Sequence, residues 1–142
     1  MRALFDVNAL LALFDQAHPF HGPVRAWWHD NQEGGWATCP LTQNGFVRIM
    51  SQPRYLQRRS PVEAAAALRT GVEQPDHQFW PDDISITDDQ LFDDAFILGP
   101  NQITDVYLLG LAVKNDGRLV TFDRGLPLKA VRGAEARHLV AL

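Results

Sequence analysis

The chain has 142 residues, 46% of them hydrophobic, which is enough for one domain with a single compact core over residues 1–142. Charged residues make up 21% and are interspersed with aromatic residues at 10%, a composition that argues against a disordered chain. The net charge of −4 argues against a protein that holds nucleic acid through bulk positive charge.

A local basic surface remains compatible with that charge. Four arginines that lie close together in the sequence could form it: Arg48, Arg54, Arg58 and Arg59. A solvated helix face explains the same four residues equally well.

The single cysteine, Cys39, cannot form a disulfide within the chain, which favours a reducing compartment. Asp6 interrupts the apolar start before a signal peptide can form, and no apolar stretch is long enough to cross a bilayer. We therefore expect a cytoplasmic protein with no membrane association.

The first half of the chain alternates short apolar strands with helical patterns, and Gly34-Gly35 breaks the chain between them. In chain order we predict strand 2–5, helix 7–14, helix 23–30, strand 36–39 and helix 41–50. The adjacent Trp27 and Trp28 lie on the second of these helices. Because neighbouring residues point in different directions, we expect one in the core and the other on a partner surface.

The second half begins with a helix start at Ser60-Pro61-Val62-Glu63, with Ser as the cap. A strand over 77–80 follows, then a helix capped by Asn101 or Thr104 and closed by the turn at 115–117. Strands over 118–122 and 138–141 complete the pattern. The alternation predicts an α/β fold, with a central parallel sheet of about five short strands flanked by helices on both faces.

Three aspartates lie where predicted strands end or a helix begins. Asp6 follows the first strand, Asp123 follows the fourth, and Asp105 is in the first turn of the helix leading into the fourth. Ligands of open parallel sheets bind beyond the carboxyl ends of the strands. If the first and fourth strands are neighbours, the three carboxylates converge.

Converging carboxylates repel one another, and their pKa values rise unless a cation neutralises them. Mg²⁺ or Mn²⁺ is the simplest choice, because both ions prefer oxygen ligands. Such an ion generates hydroxide from bound water and stabilises the charge that develops on a phosphodiester. The pattern therefore indicates phosphodiester hydrolysis.

Each aspartate also has a purely structural explanation. Asp105 suits the positive end of a helix dipole, an effect worth roughly 0.3–1 kcal/mol. Asp6 can cap the helix that follows it, and Asp123 can belong to a turn with Arg124-Gly125. Position alone leaves these explanations open, although their shared location favours a site.

Four segments, in order, resemble those of PIN domains, most of all those of the VapC toxins. They are DVN at 6–8, LTQNGFVR at 41–48, ITDVYLLGLA at 103–112 and LVTFD at 119–123, and the resemblance extends over essentially the whole chain. It implies a three-layer α/β/α fold and a Mg²⁺- or Mn²⁺-dependent endoribonuclease. It also implies a homodimer and a VapB-like antitoxin whose C-terminal tail blocks the active site.

The resemblance assigns site residues as well. The family's acidic residues, which bind metal and carry catalysis, fall on Asp6, Asp105 and Asp123. Supporting polar positions fall on Asn8, Thr104 and Thr121. The second acidic position, usually Glu in the broader family, is Gln43, whose amide carries no charge. We therefore expect weaker metal binding and one ion, with a second bound only together with substrate.

Other interpretations stay open at this stage. A catalytically weak module that binds RNA or a protein is the main alternative, and Gln43 supports it. A zinc site at His18, His21, His29 and Cys39 lacks the paired spacing of structural sites. A phosphotransfer receiver domain needs an acceptor Asp after a mid-chain strand, where this chain has Pro40. The RNA substrate itself is not identified by the sequence.

Overall fold

The computed structural model describes all residues, 1–142. The strands are β1 (Ala3–Phe5), β2 (Trp36–Thr38), β3 (His77–Phe79), β4 (Arg118–Thr121) and β5 (Leu139–Ala141). The helices are α1 (Val7–Phe14), α2 (His21–Asn31), α3 (Pro40–Met50), α4 (Pro61–Val72) and α5 (Ile103–Lys114). Every element predicted from the sequence is present, and its predicted ends lie within two residues of the observed ones except in α4, where the predicted alanine-rich run ends at Leu68 and the helix continues to Val72.

The five strands form one parallel sheet in the order β3-β2-β1-β4-β5. The central strand, β1, lies between β2 and β4, so that Leu4 pairs with Ala37 on one side and with Leu119 on the other. This confirms the predicted fold class, and it makes the first and fourth strands the neighbours that convergence of the three aspartates requires. It excludes a receiver domain, whose sheet has the order 2-1-3-4-5.

Both faces of the sheet are covered, which makes three layers. In β1, Ala3 and Phe5 pack among side chains of α1 to α4, whereas Leu4 packs in a second cluster that α5 dominates. Residues of a strand point alternately to opposite faces, so one short strand contributes to both clusters. Its three residues are fully buried, as expected for the central strand of a parallel sheet.

The helix starts show where local signals suffice and where they do not. Ser60 caps α4 as predicted, accepting a hydrogen bond from the backbone N–H of Glu63 at 3.2 Å. The predicted caps of α5, Asn101 or Thr104, are wrong. A 3-10 turn at Pro100–Gln102 runs directly into α5, and Gln102 has helical backbone angles. The entry to the helix therefore contains no extended residue that could cap it.

The expectation for the two tryptophans is also wrong, because both are half-buried against the same ring. Trp27 and Trp28 contact Phe5 edge-on, with centroid distances of 6.0 and 5.9 Å. Indole rings are long enough to converge on one phenyl ring from adjacent helix positions. None of the helices is long and apolar enough to cross a membrane.

Candidate active site

The ends of the two central strands bring the first and last predicted acids to one place. Phe5 pairs with Val120, and the backbone N–H of Asp6 donates to the Val120 carbonyl at 3.0 Å. Asp6 is therefore held beside Thr121, the last residue of β4. The Asp6 side chain is buried, with 4% of its surface exposed.

Thr121 connects Asp6 to Asp123. Its side chain lowers the pKa of the Asp6 carboxyl. Its hydroxyl oxygen accepts the backbone N–H of Asp123 at 3.0 Å. Because a hydroxyl has one proton and two lone pairs, this fully buried threonine can serve both aspartates at once.

Asp6 also caps α1, so the structural explanation of this residue holds together with its place in the site. One carboxylate oxygen accepts the backbone N–H of Ala9 at 2.7 Å. Burial raises the pKa of Asp6, and the charge of Asp123 raises it further. Hydrogen bonds from Thr121 and from the backbone of Ala9 and Asn8 oppose the rise without cancelling it.

Asp105 faces the same place from the first turn of α5. Burial raises its pKa from 3.8 to about 7, and the negative charges of Asp6 and Asp123 add to the rise. No hydrogen bond offsets these effects. The three carboxylates, called the acidic cluster below, are thus electrostatically coupled across β1, β4 and α5.

Asp123 is held by a residue that the sequence reasoning missed. One Asp123 oxygen accepts the backbone N–H of Gly125 at 2.9 Å, and the other accepts the side-chain amide of Gln102 at 3.3 Å. The same amide reaches the Gly125 carbonyl at 3.2 Å. Gln102 lies in the turn before α5, and no local sequence signal connects it to a residue 21 positions away.

The donor set of the acidic cluster suits a hard divalent ion, because it consists of oxygen atoms and lacks nitrogen and sulfur. Its raised pKa values are the expected sign of uncompensated negative charge. No three His, Cys, Asp or Glu side chains are grouped closely enough to hold one ion jointly. Asp6 and Asp123 each direct one carboxylate oxygen to a backbone N–H.

Gln43 lies in a different environment, on the β2 side of β1. Its side-chain amide donates to the Thr38 hydroxyl at 2.9 Å, and that hydroxyl lies 2.8 Å from a ring nitrogen of His77. Burial lowers the pKa of His77, which favours the neutral ring. Gln43, Thr38 and His77, called the neutral network below, satisfy one another without contacting the acidic cluster.

The remaining predicted site residues lie at the margin. Asn8 is exposed, and its contribution to Asp6 comes from its backbone N–H. Thr104 is exposed and lines a cavity beside the acidic cluster. The zinc alternative finds no support, because His21 bonds the Ala12 carbonyl at 2.7 Å while Cys39 is buried against Thr42.

The four arginines considered for a basic surface do not all line one cavity. Arg48 lies on α3 and lines the same cavity as Thr104. Arg59 lines a cavity with Asp15, which follows the last residue of α1. Arg48 is therefore the one arginine of the four that lines the cavity beside the acidic cluster.

Comparison with known proteins gives consistent results. A family model for the PIN domain matches residues 3–132. Ribonuclease VapC44 of Mycobacterium tuberculosis (strain H37Rv) is 49% identical over 142 residues, which is the full length of both chains. Ribonuclease VapC38 of the same strain is 42% identical over 125 residues, covering 87% of this chain and 86% of the relative.

A solved structure shares the fold. It is VapBC2 from Rickettsia felis bound to a DNA fragment from its promoter, and the match covers 87% of this chain and 89% of the other. The TM-score is 0.52 and the sequence identity 11%. At that identity the likeness concerns the fold alone.

Proposed function

Because the chain belongs to the PIN-domain family, with full-length relatives among the VapC ribonucleases, we propose that it is an endoribonuclease toxin of a VapBC-type pair. Its reaction is the hydrolysis of RNA phosphodiesters by water. The acidic cluster carries the proposal: Asp6, Asp105 and Asp123 are coupled at the carboxyl ends of the two central strands.

Mg²⁺ or Mn²⁺ held by these carboxylates would supply hydroxide from bound water and stabilise the charge that develops on the phosphate. The chain prepares the site in three ways. Asp6 is fixed by its hydrogen bond to the start of α1, and Asp123 is fixed by Gln102 and Gly125. Asp105 has a pKa raised to about 7 by burial and by the two neighbouring charges, and a bound cation would favour its ionised form.

The proposed partners follow from the same relationship. They are RNA as the substrate, a VapB-like antitoxin as the inhibitor and a second copy of the chain in a homodimer. The proposed location is the cytoplasm. One observation keeps an alternative in view: Gln43 adds no charge to the site and is engaged by Thr38. The alternative is a catalytically weak PIN-like module that binds RNA or a protein.

The decisive experiment is cleavage of total cellular RNA by the purified, antitoxin-free protein with Mg²⁺ or Mn²⁺, compared with EDTA. Asp6→Asn is the test variant, because asparagine also caps helices and so preserves the start of α1. Asp30→Asn is the matched control, since the Asp30 side chain is 79% exposed on α2.

We expect metal-dependent cleavage that Asp6→Asn loses by at least about a hundredfold and Asp30→Asn retains. Circular dichroism checks that both variants are folded. Absence of cleavage by the folded wild-type protein in both metals overturns the proposal in favour of the binding module. Cleavage that survives Asp6→Asn, or that persists in EDTA, removes the acidic cluster from the reaction.

A further inference from the structure

A cavity of ≈ 260 Å³ borders the acidic cluster on the side of α3. Its lining comes from α1, α3 and the first turn of α5, and consists of Val7, Leu41, Asn44, Gly45, Arg48 and Thr104. Val7 directly follows Asp6 in the chain, and Thr104 directly precedes Asp105. The cavity therefore begins where the acidic cluster ends.

The close packing of α3 on α1 positions the residues of α3 that line the cavity. A Cβ atom built on Gly45 would lie 2.6 Å from Cγ2 of Val7, closer than real side chains approach. Only glycine allows this separation. As a result, the face of α3 that carries Asn44 and Arg48, which are four residues apart, stands over the beginning of α1.

Arg48 is an exposed cation without a carboxylate partner. The arginines that form ion pairs are Arg132 and Arg137, both on other parts of the surface. Asn44 and Thr104 add two exposed groups that can donate or accept hydrogen bonds. A positive charge and two neutral polar groups beside a cluster of acids match a sugar-phosphate chain that runs past a hydrolytic centre.

We propose that this cavity binds the RNA backbone next to the scissile bond. Arg48 pairs with the phosphate of the neighbouring nucleotide, and Asn44 and Thr104 hydrogen-bond the same nucleotide. A guanidinium group suits this role because its planar donors match two phosphate oxygens. The inference rests on the proposed ribonuclease function. It also explains how a chain with a net charge of −4 retains RNA.

The competing explanation for Arg48 is structural, because it lies in the last turn of α3, where the helix dipole favours a positive charge. Binding measurements separate the two explanations. The probe is a short, fluorescein-labelled single-stranded RNA of mixed sequence, and the protein carries Asp6→Asn and is kept in EDTA, so that no cleavage interferes. Fluorescence anisotropy gives the Kd over a series of salt concentrations.

Three proteins are compared in that background. Arg48→Gln is expected to raise Kd about tenfold at low salt and to lower the slope of log K against log[salt] by about 0.7, the value for one lost phosphate contact. Arg48→Lys keeps most of the slope, because it keeps the charge. Arg58→Gln is the matched control, an exposed arginine outside the cavity, and is expected to change neither quantity.

Equal losses in Arg48→Gln and Arg58→Gln overturn the inference, since they indicate a diffuse basic surface. Unchanged binding in Arg48→Gln, with cleavage by the wild-type protein intact, overturns it and leaves the proposed function standing. Failure of the Asp6→Asn protein to bind RNA also counts against it. Absence of cleavage by the wild-type protein rejects the nuclease and, with it, a scissile bond beside the cavity; an Arg48-dependent salt slope in that case supports only the phosphate contact of Arg48.

Discussion

The acidic cluster and the neutral network lie on opposite sides of β1 and differ in whether their polar groups are satisfied by partners within the chain. In the neutral network, Gln43 donates to Thr38, and Thr38 lies within hydrogen-bond distance of His77, so its groups satisfy one another. In the acidic cluster, burial raises the pKa values of Asp6 and Asp105 despite the hydrogen bonds that Asp6 accepts. Uncompensated charge, rather than polarity, thus distinguishes the side of the sheet on which the proposed active site lies.

The contact between α1 and α3 joins the two regions, and breaking it gives the largest expected change in stability. Gly45→Ala places a methyl group 2.6 Å from Val7, which should lower the free energy of unfolding by about 1–3 kcal/mol in urea denaturation. Gly22→Ala is the control, because no atom lies within 4 Å of its added Cβ and alanine favours a helix. Val7→Ala added to Gly45→Ala should recover part of the loss; a stabilising Gly45→Ala would refute the close contact.

The two regions should respond to pH in opposite directions. Because the pKa of Asp105 is raised from 3.8 to about 7, its contribution to stability is present below about pH 4 and is lost as the pH rises to 7. After allowance for solvent screening of this partly exposed group, we expect a loss on the order of 1–2 kcal/mol in metal-free protein.

Asp105→Asn tests this sign. The variant should flatten the decline between pH 4 and 7 in urea denaturation in EDTA, and Mg²⁺ should stabilise the wild-type protein more than the variant. Asp30→Asn, on the exposed face of α2, should leave the slope unchanged. A decline that persists unchanged in Asp105→Asn would show that Asp105 is not its source.

The smallest expected effect concerns His77. Its lowered pKa favours the neutral ring, so its contribution to stability is present above pH 6.5 and is lost as the pH falls. Gln43→Glu removes the amide donor and places a negative charge near the ring, which should raise the pKa of His77 in an NMR titration. The exposed His29 serves as the reference.

The same variant tests the expectation of a single ion. A fourth carboxylate should tighten Mg²⁺ binding and admit a second ion in isothermal titration calorimetry, whereas the wild-type protein should bind one. Unchanged stoichiometry and affinity in Gln43→Glu would show that the neutral network is too remote to take part in metal binding.

Most of the fold could be predicted because its signals are local. The apolar runs that end at Asp6 and Asp123, and the Ser60 cap, each lie within a few residues of the element that they define. The alternation of strands and helices predicted a parallel sheet, but it did not predict which strands are neighbours. The three aspartates were therefore expected to converge only on the condition that β1 and β4 are adjacent.

What could not be predicted depends on contacts between distant residues. Gln102 reaches Asp123 across 21 positions, and Thr38 reaches His77 across 39. Gln43 donates to Thr38, so the contact between Thr38 and His77 decides which groups surround the Gln43 amide. The caps predicted for α5 were wrong for a local reason: the turn at Pro100–Gln102 continues into the helix without a capping residue.

The hydroxyl of Thr121 has a mechanical consequence. Its oxygen accepts the backbone N–H of Asp123, and the same side chain lowers the pKa of the Asp6 carboxyl. The beginning of α1 and the loop after β4 therefore adjoin one buried side chain. A displacement of that loop would change the surroundings of Asp6 as well as those of Asp123.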